Sequence, residues 1–80
     1  MMKAKKIKPN MVFEDCDRQF VLVNKWGSIA GSAGFVVEML DLLCDLTFKR
    51  TGCTYFETEF AMERFYDYIG EWKDENIETD

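Results

Sequence analysis

The sequence contains no histidine. Histidine is the usual general base near neutral pH, the partner of catalytic serine and cysteine, and the commonest transition-metal ligand. Three cysteines are present, but a zinc site needs four ligands with paired spacing, which these cysteines do not provide. We therefore predict no metal site, no bound cofactor and no catalytic residues, and we expect a protein that is not an enzyme.

Three further kinds of segment are missing. No hydrophobic run is long enough to cross a membrane. The glycines at positions 27, 31 and 34 match neither a dinucleotide-binding fingerprint nor a phosphate loop. The lysine-rich start lacks the apolar stretch that follows the basic region of a signal peptide. We therefore expect a cytoplasmic protein that does not bind a membrane.

The three cysteines, Cys16, Cys44 and Cys53, are an odd number and cannot all pair within one chain. Free thiols in a reducing compartment are the simplest interpretation, and one disulfide, within or between chains, is the alternative. Because free cysteine is commonly buried, we predict that Cys44 and Cys53 belong to the hydrophobic core.

A chain of 80 residues forms one domain. Its phenylalanine, tyrosine and tryptophan side chains supply most of the apolar area that it can bury. We divide the sequence into a basic lead-in (residues 1–10), a single compact domain (11–72) and an acidic tail (73–80). A core of this size leaves little room for a large substrate pocket.

Charge is distributed unevenly along the chain. Residues 1–10 carry four lysines and no acid, whereas residues 51–80 carry nine acids and two bases, and the net charge is −5. An acidic protein lacks the clustered lysine and arginine that bind a phosphate backbone. We therefore expect a protein partner with a basic surface. A nucleic-acid arm formed by the N-terminal lysines is the alternative.

Two strands are predicted near the N-terminus, at 11–14 and 19–26, joined by an Asp-rich turn into a hairpin. Alternation in the second strand places Phe20, Leu22 and Trp26 on one side and Val21 and Val23 on the other. The small residues from 27 to 34 predict a flexible loop.

Residues 33–49 allow two interpretations. The segment 35–40 is apolar and β-branched enough for a strand that is buried on both sides. The spacing of Glu38, Asp41 and Asp45 also fits a helix at about 33–49 that Ser32 could cap. Residues 47–57 are again β-rich in composition. Both possibilities stay open from the sequence alone.

The strongest helix prediction covers about residues 58–72, where apolar side chains recur at three- and four-residue spacing. The sequence therefore predicts a mainly β fold, either a partly open barrel or a sheet, packed by a C-terminal helix. The alternative is an α+β fold with the additional helix at about 33–49.

The order of these segments resembles that of the small SH3-like barrels encoded by bacteriophages and mobile elements, over roughly residues 7–70. The resemblance rests on four features in order along the chain. They are Phe20-Val21-Leu22-Val23 after an Asp-rich turn, a Gly-rich loop, Phe35-Val36-Val37-Glu38-Met39-Leu40, and a closing helix with Glu59-Phe60 and Arg64-Phe65. The segment Leu42-Leu43-Cys44-Asp45 departs from the pattern, because it has poor turn composition where the third strand should end. The resemblance implies a small accessory protein, and some phage proteins of this kind inhibit host enzymes or defence systems.

The predicted C-terminal helix carries a row of carboxylates. Glu59, Glu63, Asp67 and Glu71 follow one another at four-residue intervals, and Asp74 falls on the same side. The 1.5 Å rise of a helix separates neighbours in the row by about 6 Å, which is close to the spacing of nucleic-acid phosphates. The row is either a solvated face or a surface that mimics DNA for a basic partner.

Phe60 falls inside this acidic row on a helical wheel. A large aromatic side chain surrounded by charge is a candidate anchor for a partner, although Phe60 could instead fold inward at the start of the helix. We therefore predict a partner-binding site formed by Glu59, Phe60, Glu63, Asp67, Glu71 and Asp74.

These observations predict a small binding protein that inhibits or modulates a host protein, such as a nucleic-acid enzyme or a CRISPR-type defence complex. Its compartment would then be the cytoplasm of the host cell. A nucleic-acid-binding accessory barrel and a self-associating structural subunit, for example a homodimer, are the alternatives.

Overall fold

The computed structural model describes residues 6–44 and 47–72. Within these ranges the chain forms five strands and one short helix, so the prediction of a mainly β fold is confirmed. The elements are β1 (Met11–Asp15), β2 (Phe20–Ile29), β3 (Ser32–Cys44), β4 (Thr47–Thr58), α1 (Glu59–Phe65) and β5 (Tyr66–Glu71).

The strands form one antiparallel sheet in the order β4-β3-β2-β1-β5. The first four strands follow one another as a meander, and β5 then returns to pair with the free side of β1. The two edge strands, β4 and β5, are not neighbours in the hydrogen-bonded order, so the described sheet is open. The molecule is elongated, with principal extents of 40 × 21 × 20 Å.

Each face of the sheet carries its own apolar cluster. The cluster on the face that α1 covers, called here the helix face, contains Ile7, Met11, Phe13, Val21, Val23, Phe35, Val37, Met62 and Tyr66. The cluster on the far face contains Val12, Phe20, Leu22, Leu40, Phe48 and Trp72. The predicted alternation from 20 to 23 is therefore confirmed, because successive side chains of a strand project to opposite faces.

A β-bulge in β2 places Trp26 on the helix face and makes the prediction for this residue wrong. Val23 pairs with Val37, whereas Trp26 pairs with Phe35 three residues further along β2. The extra residue reverses the alternation beyond the bulge. The Trp26 and Phe35 rings then meet edge to face, with their centroids 5.2 Å apart.

The predicted loop over residues 27–34 is instead the end of a long hairpin. Strands β2 and β3 continue to Ile29 and Ser32, so that only two residues turn the chain. Ala30 and Gly31 have φ angles of +52° and +84°, as a type I′ turn requires at both central positions. The prediction of a flexible loop from the small residues is therefore wrong, because a two-residue turn leaves the rest of the segment in the two strands.

The additional helix at about 33–49 is not formed, since Ser32–Cys44 is one 13-residue strand. It is the third strand of the sheet and pairs on both sides, with β2 and with β4. These non-local partners outweigh the local spacing of the acids. Asp45 and Leu46, where β3 turns into β4, lie outside the described residues.

The predicted helix over 58–72 is correct only at its beginning. Thr58 caps α1, and its Oγ1 accepts a hydrogen bond from the Ala61 amide at 3.1 Å. The helix ends at Phe65, and the chain continues as β5 along the open side of β1. A bulge near Gly70 changes the spacing of the apolar residues of β5, so that this spacing also fits a helix. Pairing with β1 makes the segment a strand.

Cys16, Cys44 and Cys53 are all free and exposed. The prediction that Cys44 and Cys53 belong to the core is therefore wrong. Cys44 lies on the part of β3 that extends past the start of β2, and Cys53 lies in an irregular part of β4. Free thiols, the first of the two interpretations, agree with this arrangement.

The end of the basic lead-in, at residues 7–10, packs against the sheet and is hydrogen-bonded to it. Ile7 is buried in the helix-face cluster. Asn10 donates its amide hydrogen to the Val23 carbonyl at 2.9 Å and accepts a hydrogen bond from the Trp72 amide at 2.7 Å. The residues before Lys6 and the tail from Lys73 lie outside the described residues.

Candidate functional site

The sequence-predicted site residues do not form one row. Glu59 and Glu63 lie one turn apart on α1, whereas Asp67 and Glu71 belong to β5. Asp67 pairs with Glu14 on the far face and Glu71 pairs with Met11 on the helix face. The prediction of a continuous carboxylate row is therefore wrong. Asp74 lies outside the described residues.

Phe60 is one of the most exposed large apolar residues of the described chain, at 62% of its full accessible area. The alternative in which it folds inward is therefore wrong. The Arg64 guanidinium carbon lies 5.3 Å from the centre of the Phe60 ring, within the range of a cation–π interaction. Phe60 thus projects from α1 with a cation held against one side of its ring.

Phe65 is the second exposed ring of this surface, at 52% accessibility. Its centroid lies 6.4 Å from that of Phe60, with the planes nearly perpendicular. The surface formed by the exposed Phe60, Arg64 and Phe65 with the half-buried Glu59 and Glu63 is called here the α1 patch. Phe65 is one of the apolar residues whose spacing predicted the longer helix, and such a helix would have turned this position toward the core.

A second group of side chains joins the two edge strands. The Tyr55 hydroxyl on β4 lies 2.8 Å from the Tyr66 hydroxyl at the start of β5. The Tyr66 hydroxyl donates to Glu57 Oε1 at 3.4 Å. This group, called here the edge clasp, shows that the sheet curls enough to bring its edges together over the helix face. Sequence reasoning missed it, since the residues carry no spacing motif.

Burial dominates the protonation of the edge clasp. It raises the pKa of the Glu57 carboxyl, and the hydrogen bond from Tyr66 opposes this only in part. Burial also raises the pKa of the Tyr55 and Tyr66 hydroxyls, with the negative charges of Glu57 and Asp15 acting in the same direction. Each of these three groups therefore loses its proton less readily than in water, and the clasp lies in a negative local field.

A buried carboxylate lies on the far face, where Glu38 is 4% exposed. Its Oε1 accepts hydrogen bonds from Arg50 Nε at 3.1 Å and Nη2 at 2.6 Å, and its Oε2 accepts one from the Gly52 amide at 3.0 Å. The hydrogen bond from Arg50 is the largest influence and lowers the pKa of Glu38. This carboxylate fixes the irregular segment of β4, where Gly52 has a φ of +84°.

Comparison with known proteins finds no matching family model, no matching curated protein and no matching solved structure. The interpretation of the site therefore rests on its geometry and chemistry. Within residues 6–44 and 47–72, no group of three or more potential ligands could hold a metal ion. In the same part of the chain no helix is long and apolar enough to span a membrane.

We expect the substitution Glu57→Gln to increase stability at neutral pH by a small amount, at most about 1 kcal/mol. The folded-state pKa of Glu57 is raised, so the protonated carboxyl favours the folded state. This contribution to stability is fully present below the unfolded-state pKa and is lost as pH rises through the folded-state value. Urea unfolding from pH 4 to 8 should show that the stability of Glu57→Gln, relative to the parent protein, increases as pH rises. A Glu57→Gln variant that is less stable than the parent protein at pH 7 would contradict this.

Proposed function

We propose that this chain is a small non-enzymatic protein that binds and inhibits or modulates a host protein through the α1 patch. The exposure of Phe60 and Phe65 on a seven-residue helix is the observation that carries the proposal. Aromatic side chains are enriched among the residues that dominate binding energy, and exposed apolar patches on small soluble domains mark interaction sites.

Charge supports a basic partner. Glu59 and Glu63, one turn apart on α1, form the acidic rim beside the rings. The one base on the helix, Arg64, is held against the Phe60 ring. Such a rim favours encounter with a surface of opposite sign. A nucleic-acid enzyme or a defence complex of a bacterial host has a surface of that kind.

A DNA-mimicking form of this function would have to use a different arrangement of charge from the predicted one. Spacing like that of phosphates required four carboxylates along one helix, and only Glu59 and Glu63 share α1. We therefore favour aromatic anchors with an acidic rim over an extended imitation of a nucleic-acid strand.

The proposed relation to SH3-like barrels of phages and mobile elements receives support from topology. A four-strand meander is followed by one turn or two of helix, and the last strand returns to pair with the first. The edge clasp holds β4 near β5 by side-chain contact without closing the sheet. An open sheet with this order of elements is compatible with the proposed relation, which is a proposal at the level of fold.

The test is capture of partners from a bacterial host lysate with the whole chain, followed by measurement of binding to the purified partner. The double substitution Phe60→Ala and Phe65→Ala should weaken binding by about 2 kcal/mol or more, the range of hot-spot residues. The double substitution should leave the melting temperature within a few degrees, because both rings are more than half exposed.

Trp26→Ala and Ile29→Ala supply the matched control. Both residues are as exposed as Phe65, at 54% and 55%, but belong to the β2–β3 hairpin. Binding by this control pair should equal that of the parent protein. If removal of Phe60 and Phe65 leaves the affinity for the captured partner unchanged, the α1 patch is not the binding surface.

A further inference from the structure

The edge clasp adjoins the α1 patch at both ends of the helix. Glu57 lies two residues before α1 begins, and Tyr66 is the first residue after it ends. Asp15 is the cross-strand partner of Tyr66 on β1, and its Oδ1 accepts hydrogen bonds from the Asp17 and Gln19 amides of the β1–β2 turn. Its carboxylate thus lies beside the edge clasp as a second negative charge. Tyr55 is 37% exposed, which gives this group an opening to solvent.

Glu57 is poorly compensated for a half-buried carboxylate. Among the described residues its one hydrogen bond comes from Tyr66 at 3.4 Å, and it forms no ion pair there. By contrast, Glu38 receives three hydrogen bonds, two of them from an arginine. A desolvated carboxylate is costly unless a cation or strong donors satisfy it. The edge clasp therefore lacks the positive group that Glu38 has.

We propose that Glu57, together with Asp15, Tyr55 and Tyr66, forms a subsite that receives the guanidinium group of an arginine side chain from the partner. This inference rests on the proposed function and identifies a residue that the partner presents beside the rings of the α1 patch. In it, Glu57 supplies the counter-charge, Asp15 adds to the negative field, and the tyrosine hydroxyls accept hydrogen bonds.

The chemistry of the subsite fits arginine in particular. A guanidinium carries five N–H donors in a plane and matches several acceptors held on different strands. Phenol rings also attract a cation over their faces. A metal ion does not fit, because the described residues offer no set of three metal-ligating side chains here.

Electrostatics around the subsite agrees with this occupant. The charges that act on Tyr55, Glu57 and Tyr66 are those of Glu57 and Asp15, and both raise the pKa of their neighbours. On the adjoining helix, Glu59 and Glu63 are acidic and Arg64 is held on Phe60. Glu57 thus costs stability in the free protein, and an arriving guanidinium would remove that cost.

The experiment titrates the full chain with N-acetyl-argininamide at constant ionic strength and pH 7.5, with NMR detection of the tyrosine rings and the backbone amides. N-acetyl-citrullinamide, which has the same shape without charge, is titrated in parallel. Saturable shifts should appear at Tyr55, Glu57 and Tyr66 with the arginine compound and not with citrulline. Glu57→Gln should weaken this binding about tenfold or more, the effect of losing one charged hydrogen-bond partner.

Glu71→Gln is the matched control, since Glu71 is an exposed acid at the other end of β5, and it should leave the titration unchanged. Equal shifts with the two compounds, or arginine shifts that persist in Glu57→Gln, would overturn the subsite. The double substitution of Phe60 and Phe65 by alanine should keep the arginine shifts. A failure of the α1 patch to bind its partner is therefore distinguishable from a failure of this subsite.

Discussion

Replacing Gly34 with alanine should remove most of the stability of the fold. A Cβ atom at this position would lie 2.3 Å from the Glu57 carbonyl oxygen and 2.8 Å from the Thr58 Cα, and both are backbone atoms of β4. Backbone cannot rotate away, so β3 and β4 would have to separate. We expect a loss of about 3 kcal/mol or more, from a total of roughly 3–5 kcal/mol for a chain of this size.

Gly27→Ala is the matched control, because Gly27 is the cross-strand partner of Gly34. A Cβ atom there would meet the Phe56 ring and Val36 at 4.0 Å, an ordinary contact. Alanine at 27 should therefore be neutral or stabilise by up to about 1 kcal/mol, since it restricts the unfolded chain. Thermal and urea unfolding measure both effects, and equal losses for the two variants would show that β4 does not approach Gly34 closely.

The second large effect is expected from Arg50→Met. This substitution keeps most of the apolar length of the side chain but leaves the Glu38 carboxylate buried without its two strongest donors. The Arg50 side chain is 45% exposed, so water screens part of the ion pair, and we expect a loss of about 1–3 kcal/mol, the cost of leaving a buried acceptor without its donors. Lys49→Met, the neighbouring exposed base on β4, should change stability by no more than about 0.5 kcal/mol.

The double variant Glu38→Gln with Arg50→Met should be more stable than Arg50→Met alone, because no charge is then left buried.

The pH dependence of stability gives an independent check of the ion pair. The folded-state pKa of Glu38 lies below its ordinary value of 4.5, so its contribution is present above the unfolded-state pKa and is lost as pH falls through the folded-state value. The advantage of the parent protein over Glu38→Gln should therefore shrink below about pH 4.5, and an advantage that is constant from pH 7 to 3 would contradict the ion pair.

The contributions of two glutamates in one small sheet to stability should therefore depend on pH in opposite directions. Glu38 stabilises the folded state in its charged form, whereas charged Glu57 opposes folding. The difference follows from their donors, because Arg50 and the Gly52 amide satisfy Glu38 and a single long hydrogen bond reaches Glu57. Carboxylates that cost stability are concentrated at functional sites, which is consistent with a binding role for the edge clasp.

The amino-acid sequence by itself determined the first hairpin and favoured a mainly β fold over the α+β alternative. Alternation from Phe20 to Val23 is a two-residue period that the sheet realises on both of its faces. The predicted start of the helix near residue 58 also agrees with α1, where the Thr58 hydroxyl caps the first turn over three residues. Such features are local, so the sequence contains all the information that they need.

Tertiary structure alone decided the end of α1, the length of β3 and the exposure of the cysteines. Residues 66–71 have a pattern that suits a helix or a bulged strand, and the free side of β1, more than 50 residues earlier, makes them a strand. The edge clasp likewise exists because the sheet curls until β4 and β5 meet. Pairing and curvature join segments that are distant in the chain, and local periodicity carries no information about such partners.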